Sequence, residues 1–293
     1  MTYNHGKFIE DALLSIDTQK TKFRFELVIG DDFSTDDTIE KIQNYKFTNP
    51  NLKVTLLDRN YGDFYFEQRK KKGRLFNFTN IIEHCTGKYI ALLDGDDFWS
   101  DTFKLQQQVD ILELNSEISL SFHNVYVENH RIKPIKRQPM HKSLGKELFT
   151  TKDLLRPCFI HTSSIVYRNF PDFVFPDWFY KCDSGDIPLI LLLSLRGNFS
   201  YIKNIMSVYR RFDTGVSASH TGYKKIFAMA YLYHNFNWYT DFEYDEKISQ
   251  ALKEEVQGHL PEIHELRRLK RSKKVKVFKF LKSKWMTYIL RSD

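Results

Sequence analysis

The feature that most constrains this chain is an alternation of strand-like and helix-like segments. Short apolar runs, each ending in polar, turn-forming residues, occur at Phe25-Glu26-Leu27-Val28-Ile29, Lys53-Val54-Thr55-Leu56-Leu57 and Tyr89-Ile90-Ala91-Leu92-Leu93. β-branched and aromatic residues in runs of this length mark buried strands. Between them lie helix-like stretches: Lys7 to Ile16, Asp36 to Tyr45 with acids in its first turn, and Asn77 to Cys85, which stops before Gly87. The alternation predicts an α/β fold, a doubly wound, mainly parallel sheet flanked by helices. Ser100 is expected to cap a further helix, Thr102 to Glu113, with Leu105, Val109, Ile111 and Leu112 on its buried side.

In open sheets of this kind, ligands bind beyond the carboxyl ends of the strands. Two acidic loops fall there, Asp31-Asp32 and Asp94-Gly95-Asp96-Asp97. Three carboxylates within four residues raise one another's pKa, and a divalent cation relieves that cost. Oxygen ligands suit Mn²⁺ or Mg²⁺, and one or two carboxylates leave positions open for substrate phosphates. The alternative is a solvated turn, since Asp and Gly are common turn residues. The segment Asp31 to Asp37 is not a calcium loop, because Asp37 stands at the glycine position and Gln43 at the closing glutamate. Asp31 or Asp32 is instead expected to bond a nucleotide base or ribose, with Ser34 to Asp37 capping the next helix.

Composition narrows the function classes. With 293 residues, 42% hydrophobic, the chain can bury a large core and is not disordered. Cys85, Cys158 and Cys182 have no metal-type pair spacing and suggest neither a disulfide framework nor zinc, which fits a reducing cytoplasm. No apolar run approaches the roughly 20 residues that span a bilayer, and the amino terminus has no signal-peptide pattern. Residues 266–293 carry eleven Lys and Arg against the single acid Asp293, so most of the net +7 belongs to the tail and the remainder is slightly acidic. That balance argues against nucleic acid as a partner of the body.

In the second half, Ser119 to Val127, Ser163 to Tyr167 and Tyr201 to Tyr209 read as strands and Ile187 to Leu195 as an apolar helix. This half is read as acceptor-binding. Beyond Ser219 the pattern turns helical, at Tyr223 to Tyr239 and Glu246 to Val256.

Several motifs in order resemble the family 2 glycosyltransferases of GT-A fold. They are Thr2-Tyr3-Asn4-His5 with Phe8-Ile9, Ile29-Gly30-Asp31-Asp32 with Ser34-Thr35-Asp36, and Gly87-Lys88 through Asp94-Gly95-Asp96-Asp97-Phe98-Trp99. The likeness continues through Lys104-Leu105-Gln106, Thr162-Ser163-Ser164, Gly185-Asp186 and Ser207-Val208-Tyr209-Arg210, covering residues 1–217. The organisation expected is a GT-A domain over 1–217, with a nucleotide-sugar half at 1–115 and an acceptor half at 116–217, then a helical extension over 218–293. The resemblance implies an inverting transfer from a nucleotide-sugar donor, usually a UDP-sugar, to a hydroxyl on a saccharide or lipid-linked acceptor, usually in bacterial surface polysaccharide assembly.

It also implies roles. Thr2, Tyr3 and Asp32 would contact the nucleotide, Asp94 the ribose or donor sugar, and Asp96 with Asp97 the metal. Asp186 holds the family position of the catalytic base; a helix-capping aspartate is the alternative. Trp178 and Phe179 could offer a flat surface to a sugar ring or pack in the core, and His161 could line the acceptor pocket or be structural.

The chain departs from the family twice. Most of the family's first strand is absent before Thr2, so a truncated or misassigned start is expected, failing which a central strand would be missing from the sheet. Phe212 stands where the family commonly has a histidine against the metal or diphosphate, and Arg210, Arg211 or His220 could compensate by neutralising the diphosphate. The tail has Val277, Phe278, Leu281, Trp285, Tyr288 and Ile289 at three- and four-residue intervals among lysines. An interfacial helix over 266–291 on an anionic membrane is expected, with the enzyme peripheral at the cytoplasmic face; a helix packed on the body is the alternative. A sugar nucleotidyltransferase is the less favoured enzyme, since no glycine-rich phosphate loop is present, and a non-catalytic carbohydrate-binding protein is the further alternative.

Overall fold

Helix α1 (Ile9–Asp17) buries Ile9, Ala12, Leu13 and Ile16, a stripe at helical spacing, against the end of strand β1 (Phe25–Ile29) and helix α2 (Thr38–Asn44). A computed structural model describes residues 1–213 and 223–259 of the chain. The expected capping of α2 by Ser34 to Asp37 takes another form. Asp37 at the N-cap makes no side-chain cap bond, and Asp36 Oδ1 instead accepts from both the amide and the hydroxyl of Thr38. Strand β2 (Leu52–Leu56) runs parallel to β1, with Phe25 opposite Leu52 and Ile29 opposite Leu56.

Helix α3 (Phe64–Lys72), which the sequence pattern does not reveal, is capped by Asp63, whose carboxylate accepts from the Phe66 amide. Helix α4 (Leu75–Glu83) leads to strand β3 (Tyr89–Ala91), and the acidic loop then leads to strand β4 (Phe98–Trp99). Helix α5 (Lys104–Leu114) starts later than expected. Ser100 does not cap it; the Ser100 amide bonds Met206 O, and Asp101 Oδ1 accepts from the Phe103 amide before the helix.

The second half supplies strands β5 (Ile118–Asn129), β6 (Lys136–Pro139), β7 (Leu148–Phe149), β8 (Val166–Arg168) and β9 (Asn198–Arg211), with helices α6 (Thr151–Leu154) and α7 (Asp186–Ser194). A seven-stranded sheet has the order β3-β8-β5-β9-β4, with β6 added on β5 and β7 on β9. The α/β class is as expected, but the pairing is mixed: β1–β2 and β5–β9 are parallel, and the other five pairs are antiparallel. The parallel reading came from the strand–helix alternation of the first half. β5 and β9 keep it because the chain between them includes helices that carry it back across the sheet.

Helix α7 is apolar all round and is buried from Pro188 to Ser194 in the main core, which also takes Phe122 and Phe199 from the sheet. Helices α8 (Tyr223–Tyr239) and α9 (Asp245–Gly258) belong to that core, through Met229, Leu232, Tyr233, Phe236, Ile248 and Ala251. Among the described residues no helix is long and apolar enough to cross a membrane. The basic tail at 266–291 and His220 lie outside the described residues.

β1 and β3 do not pair with each other. Among the described residues β1 pairs with β2 alone and β3 with β8 alone, and the two strands line a cavity of about 430 Å³. Although β1 reads as a fully buried strand, four of its five residues are half-buried.

Candidate active site

The acidic loop is fixed from three directions. At its start, Met1 bridges Leu93 and Gly95: its amino group donates to Leu93 O and its carbonyl accepts from the Gly95 amide. Gly95 itself cannot be larger, because a Cβ there would lie 2.8 Å from Thr2 Cγ2, 2.9 Å from His5 Nδ1 and 3.0 Å from Ile9 Cδ1. At its end the Asp97 amide closes on Asp94 O, and Asp97 Oδ1 accepts the backbone N–H of Arg210 on β9 at 2.8 Å.

Within this loop the carboxylates take different roles. Asp97, expected beside Asp96 as a metal ligand, is turned inward. It is 2% exposed, one oxygen serves the Arg210 amide, and the other is 3.8 Å from His161 Nε2. Burial, reinforced by the charge of Asp96, pushes its pKa well above the carboxylate range. Asp96 keeps a partly open carboxylate, with Oδ2 3.9 Å from His5 Nε2, and burial raises its pKa too. The Asp94 carboxyl is pushed up to about 6, chiefly by burial; the charges of Asp96 and Asp186 act in the same direction, against the amino terminus and His5. Asp94 therefore feels the charges of both Asp96 and Asp186, although Asp186 comes from the other half of the sequence.

Asp186 opens α7, where Oδ2 accepts from the Thr162 hydroxyl at 3.1 Å and Oδ1 from the Ile187 amide. No side chain caps this helix through its N-cap, Gly185, which packs on the Phe78 ring. His161 is half-buried and lies against Tyr209, with ring centroids 4.1 Å apart, and its Nδ1 is hydrogen-bonded to Ser163 Oγ. Burial, opposed by Asp186, holds its pKa down to about 4, so the ring is neutral.

On the nucleotide side, Asp31 and Asp32 separate. Asp31, expected to face a base or ribose, is buried and ties two loops together, accepting from Thr2 Oγ1 at 2.7 Å and from the Ser34 hydroxyl and amide. Thr2 is buried with it, while Tyr3 is 55% exposed. Asp32 is held by Arg69, which bonds both carboxylate oxygens, and by the Tyr65 hydroxyl at 2.9 Å. Phe33, beside it, has φ +63°, in the left-handed region, and stacks on exposed Tyr61 with centroids 4.5 Å apart.

Two expected contacts are corrected. Arg210 is not free to neutralise a diphosphate: it bonds Asp11 at 2.5 Å and Asp96 O at 3.1 Å, approaches Glu128, and lies over the rings of Phe8 and Phe98. Trp178 packs against Tyr239 of α8, and Phe179 is fully buried, because α8 covers this segment. Phe212, at the position of the family histidine, sits between Phe8 and His130, with centroids 4.9 and 4.7 Å away.

Four residues with no role in the sequence reading take part. They are His5, beside Asp96; Tyr65 and Arg69, which fix Asp32; and Arg59, which binds Asp31 O, Asn77 and Asn80. His5 stood inside a quoted motif; the other three lie in or next to α3, which has no periodic apolar signal to draw attention to it.

Among the described residues no three His, Cys, Asp or Glu side chains converge as a closed metal site. The donor set still fits a hard divalent cation bound largely by substrate: Asp96 has an open carboxylate whose ionised form is destabilised, and magnesium-type sites commonly take one or two carboxylates plus phosphate oxygens.

Comparison with known proteins gives the family and the fold. Residues 1–174 match the sequence model of a family described as Glycosyl transferase family 2. An uncharacterised protein of Mycobacterium tuberculosis is 31% identical over 224 residues, which are 74% of this chain and 58% of that protein. The chain thus spans little more than half the length of such relatives. WfaP of Escherichia coli, named as a UDP-Glc:α-D-GlcNAc-diphosphoundecaprenol β-1,3-glucosyltransferase, is 26% identical over 72% of this chain and 73% of its own. Among solved structures, Staphylococcus aureus TarS with UDP superposes with a TM-score of 0.55 at 18% identity, over 79% of this chain and 62% of that one. The mannosyltransferase PcManGT from Pyrobaculum calidifontis, in complex with GDP-Man and Mn²⁺, gives 0.59 at 15% identity, over 99% and 79%. Both structural likenesses concern the fold.

Proposed function

The chain belongs to glycosyl transferase family 2, and from that premise we propose that it transfers a sugar, with inversion, from a UDP-sugar to a hydroxyl of a saccharide or lipid-linked acceptor in surface polysaccharide assembly. The observation that carries this reading is that Asp186, from the second half of the chain, comes near enough to the acidic loop for its charge to act on Asp94, as that of Asp96 does. Inversion by single displacement needs a base facing the acceptor hydroxyl, and a leaving diphosphate on the opposite face of the sugar. Asp186 is the base: the Thr162 hydroxyl and the Ile187 amide orient its carboxylate. Asp94 binds donor ribose or sugar hydroxyls. Asp32, pre-set by Arg69 and Tyr65, faces the nucleotide with Thr2 and Tyr3 near it.

Asp96 would hold Mn²⁺ or Mg²⁺, which supplies charge neutralisation of the departing diphosphate when bound. Asp97 is a positioning residue that keeps β9 against the loop. The lipid-linked acceptor is supported by the name of WfaP and by the basic segment 266–291, which we assign to an anionic membrane at the cytoplasmic face. Co-sedimentation with vesicles containing phosphatidylglycerol should be lost on removing residues 266–293.

The test is transfer from a panel of UDP-sugars by Asp96→Asn and Asp186→Asn. Loss of transfer with unchanged circular dichroism is expected in both, and full activity in both sinks the reading. A second reading, a binding protein without turnover, is favoured by Phe212 and by the engagement of Arg210. It predicts calorimetric binding of UDP with Mn²⁺ but no hydrolysis or transfer.

A further inference from the structure

The short turn Thr162-Ser163-Ser164 lies between the acidic loop and Asp186 and is tied to both. On one side the Thr162 hydroxyl donates to Asp186 Oδ2 at 3.1 Å. On the other, His161, which leads into the turn, has Nδ1 on Ser163 Oγ and Nε2 3.8 Å from Asp97 Oδ2. The backbone bonds that close the turn run from the Ser164 amide to His161 O and from the Ile165 amide to Thr162 O. A single turn of this kind holds its own shape weakly, so its place relative to Asp186 has to be set from outside.

Three elements set it. From α5, the buried Gln108 donates through Nε2 to Ser164 O at 2.8 Å, and the same nitrogen is anchored on Ser121 of β5, at O and Oγ, both 2.9 Å away. From β4, the Trp99 indole N–H donates to Ser163 O at 3.0 Å. From β9, Ser207 Oγ lies 2.8 Å from Ser163 Oγ. One helical turn before Gln108, Lys104 is fully buried, and its amino group lies over the Trp99 ring, 4.2 Å from the centre. Residues four apart share a helix face, so one face of α5 acts on the turn twice, directly through Gln108 and indirectly through Trp99. Burying an amine and a carboxamide in a core costs free energy that an apolar pair of the same size does not. An apolar pair, however, cannot hold two carbonyl oxygens at hydrogen-bond distance.

We propose that Gln108, together with Trp99 held by Lys104, is a positioning group for the transfer step. It fixes the 162–164 turn so that Thr162 holds Asp186 at a set distance from the acidic loop, without itself touching donor or acceptor. The inference rests on Asp186 being the base and adds the residues that aim it.

The test compares Gln108→Leu with Leu112→Ala, which loosens the core at the far end of the same helix and leaves the turn untouched. Both are measured at a temperature where circular dichroism shows them folded. In Gln108→Leu, amide exchange at Ser164 and Ile165 should quicken on the order of tenfold or more. Its kcat should fall on the order of tenfold to a hundredfold, with KM for the UDP-sugar nearly unchanged. Leu112→Ala should do neither. Trp99→Phe, which removes the indole N–H and keeps a ring under Lys104, should shift both readouts in the same sense as Gln108→Leu. Thr162→Val should lose kcat while Thr162→Ser, which keeps the hydroxyl, retains it, and Gln108→Leu added to Thr162→Val should cost little more. Unchanged exchange at Ser164 and Ile165 in both Gln108→Leu and Trp99→Phe, or equal loss of protection in Leu112→Ala, overturns the clamp. Faster exchange with unaltered kcat, or additive losses in the double variant, overturns the positioning role. If the unmodified protein transfers no sugar from any donor, the base assignment itself falls and the positioning role with it, whereas the exchange comparison still decides the clamp.

Discussion

A carboxylate inside a fold can hold a cation, accept backbone hydrogen bonds or take up a proton, and Asp96 and Asp97 divide these roles between adjacent residues. Asp97→Ala removes the acceptor from the buried Arg210 amide and should cost about 1–3 kcal/mol by urea denaturation, whereas Asp97→Asn, which keeps an acceptor, should cost much less. Asp96→Asn should leave stability nearly unchanged and abolish Mn²⁺ binding in calorimetry with UDP. His161 carries a pH prediction. The unfolded imidazole takes a proton near pH 6.5, the folded one only near 4, so between these values the unfolded chain binds more protons. The contribution is full above pH 6.5 and is lost as pH falls toward 4. The raised pKa of Asp97 acts with the opposite sign, so the test is a difference: His161→Gln should remove part of the acid-side fall in Tm, and parallel curves for the two proteins would refute this. The sequence made the acidic cluster legible, because three carboxylates after an apolar strand are a rare local pattern. It could not say which one turns inward, since that depends on Arg210, more than a hundred residues away in the chain.

Elements deliver these side chains, and the close contacts between elements are where substitutions should act. Gly185 precedes α7, and a Cβ there would lie 2.9 Å from the Phe78 ring of α4. Gly185→Ala should push the start of α7, with Asp186, out of position, lowering kcat by a larger factor than it raises KM. Phe78→Leu added to it should recover part of the rate, a coupling that a double-mutant cycle would measure. Strands β1, β2, β5 and β9 and helices α7, α8 and α9 were legible because each has a clear apolar run or period. α3 was not: Tyr65 is its one buried residue and four cations fill its last turn, yet it supplies both partners of Asp32. Ser100 misled because a serine before a helix looks like a cap wherever it stands, while here its amide is engaged by β9.

At the scale of the whole molecule, the long-range contacts decide what can be removed. Phe236 of α8 is 0% exposed in the core shared with α7 and the large sheet, and Phe236→Ala should lower unfolding free energy by about 3–5 kcal/mol in urea. The alternation in the first half correctly announced an α/β protein, but nothing local could announce that β8 and β9 run beside β3, β5 and β4, because strand order is set by packing between distant segments. Arg210 has a consequence for how the protein is made. Its bond to Asp11 spans 199 residues and its amide bond to Asp97 spans 113, so these ties cannot form on the ribosome until more than two-thirds of the polypeptide has emerged. A nascent chain arrested before Arg210 should therefore expose the Asp94–Asp97 turn to proteases that the released protein resists, and the carboxylates gain their final orientation as a late step of biosynthesis.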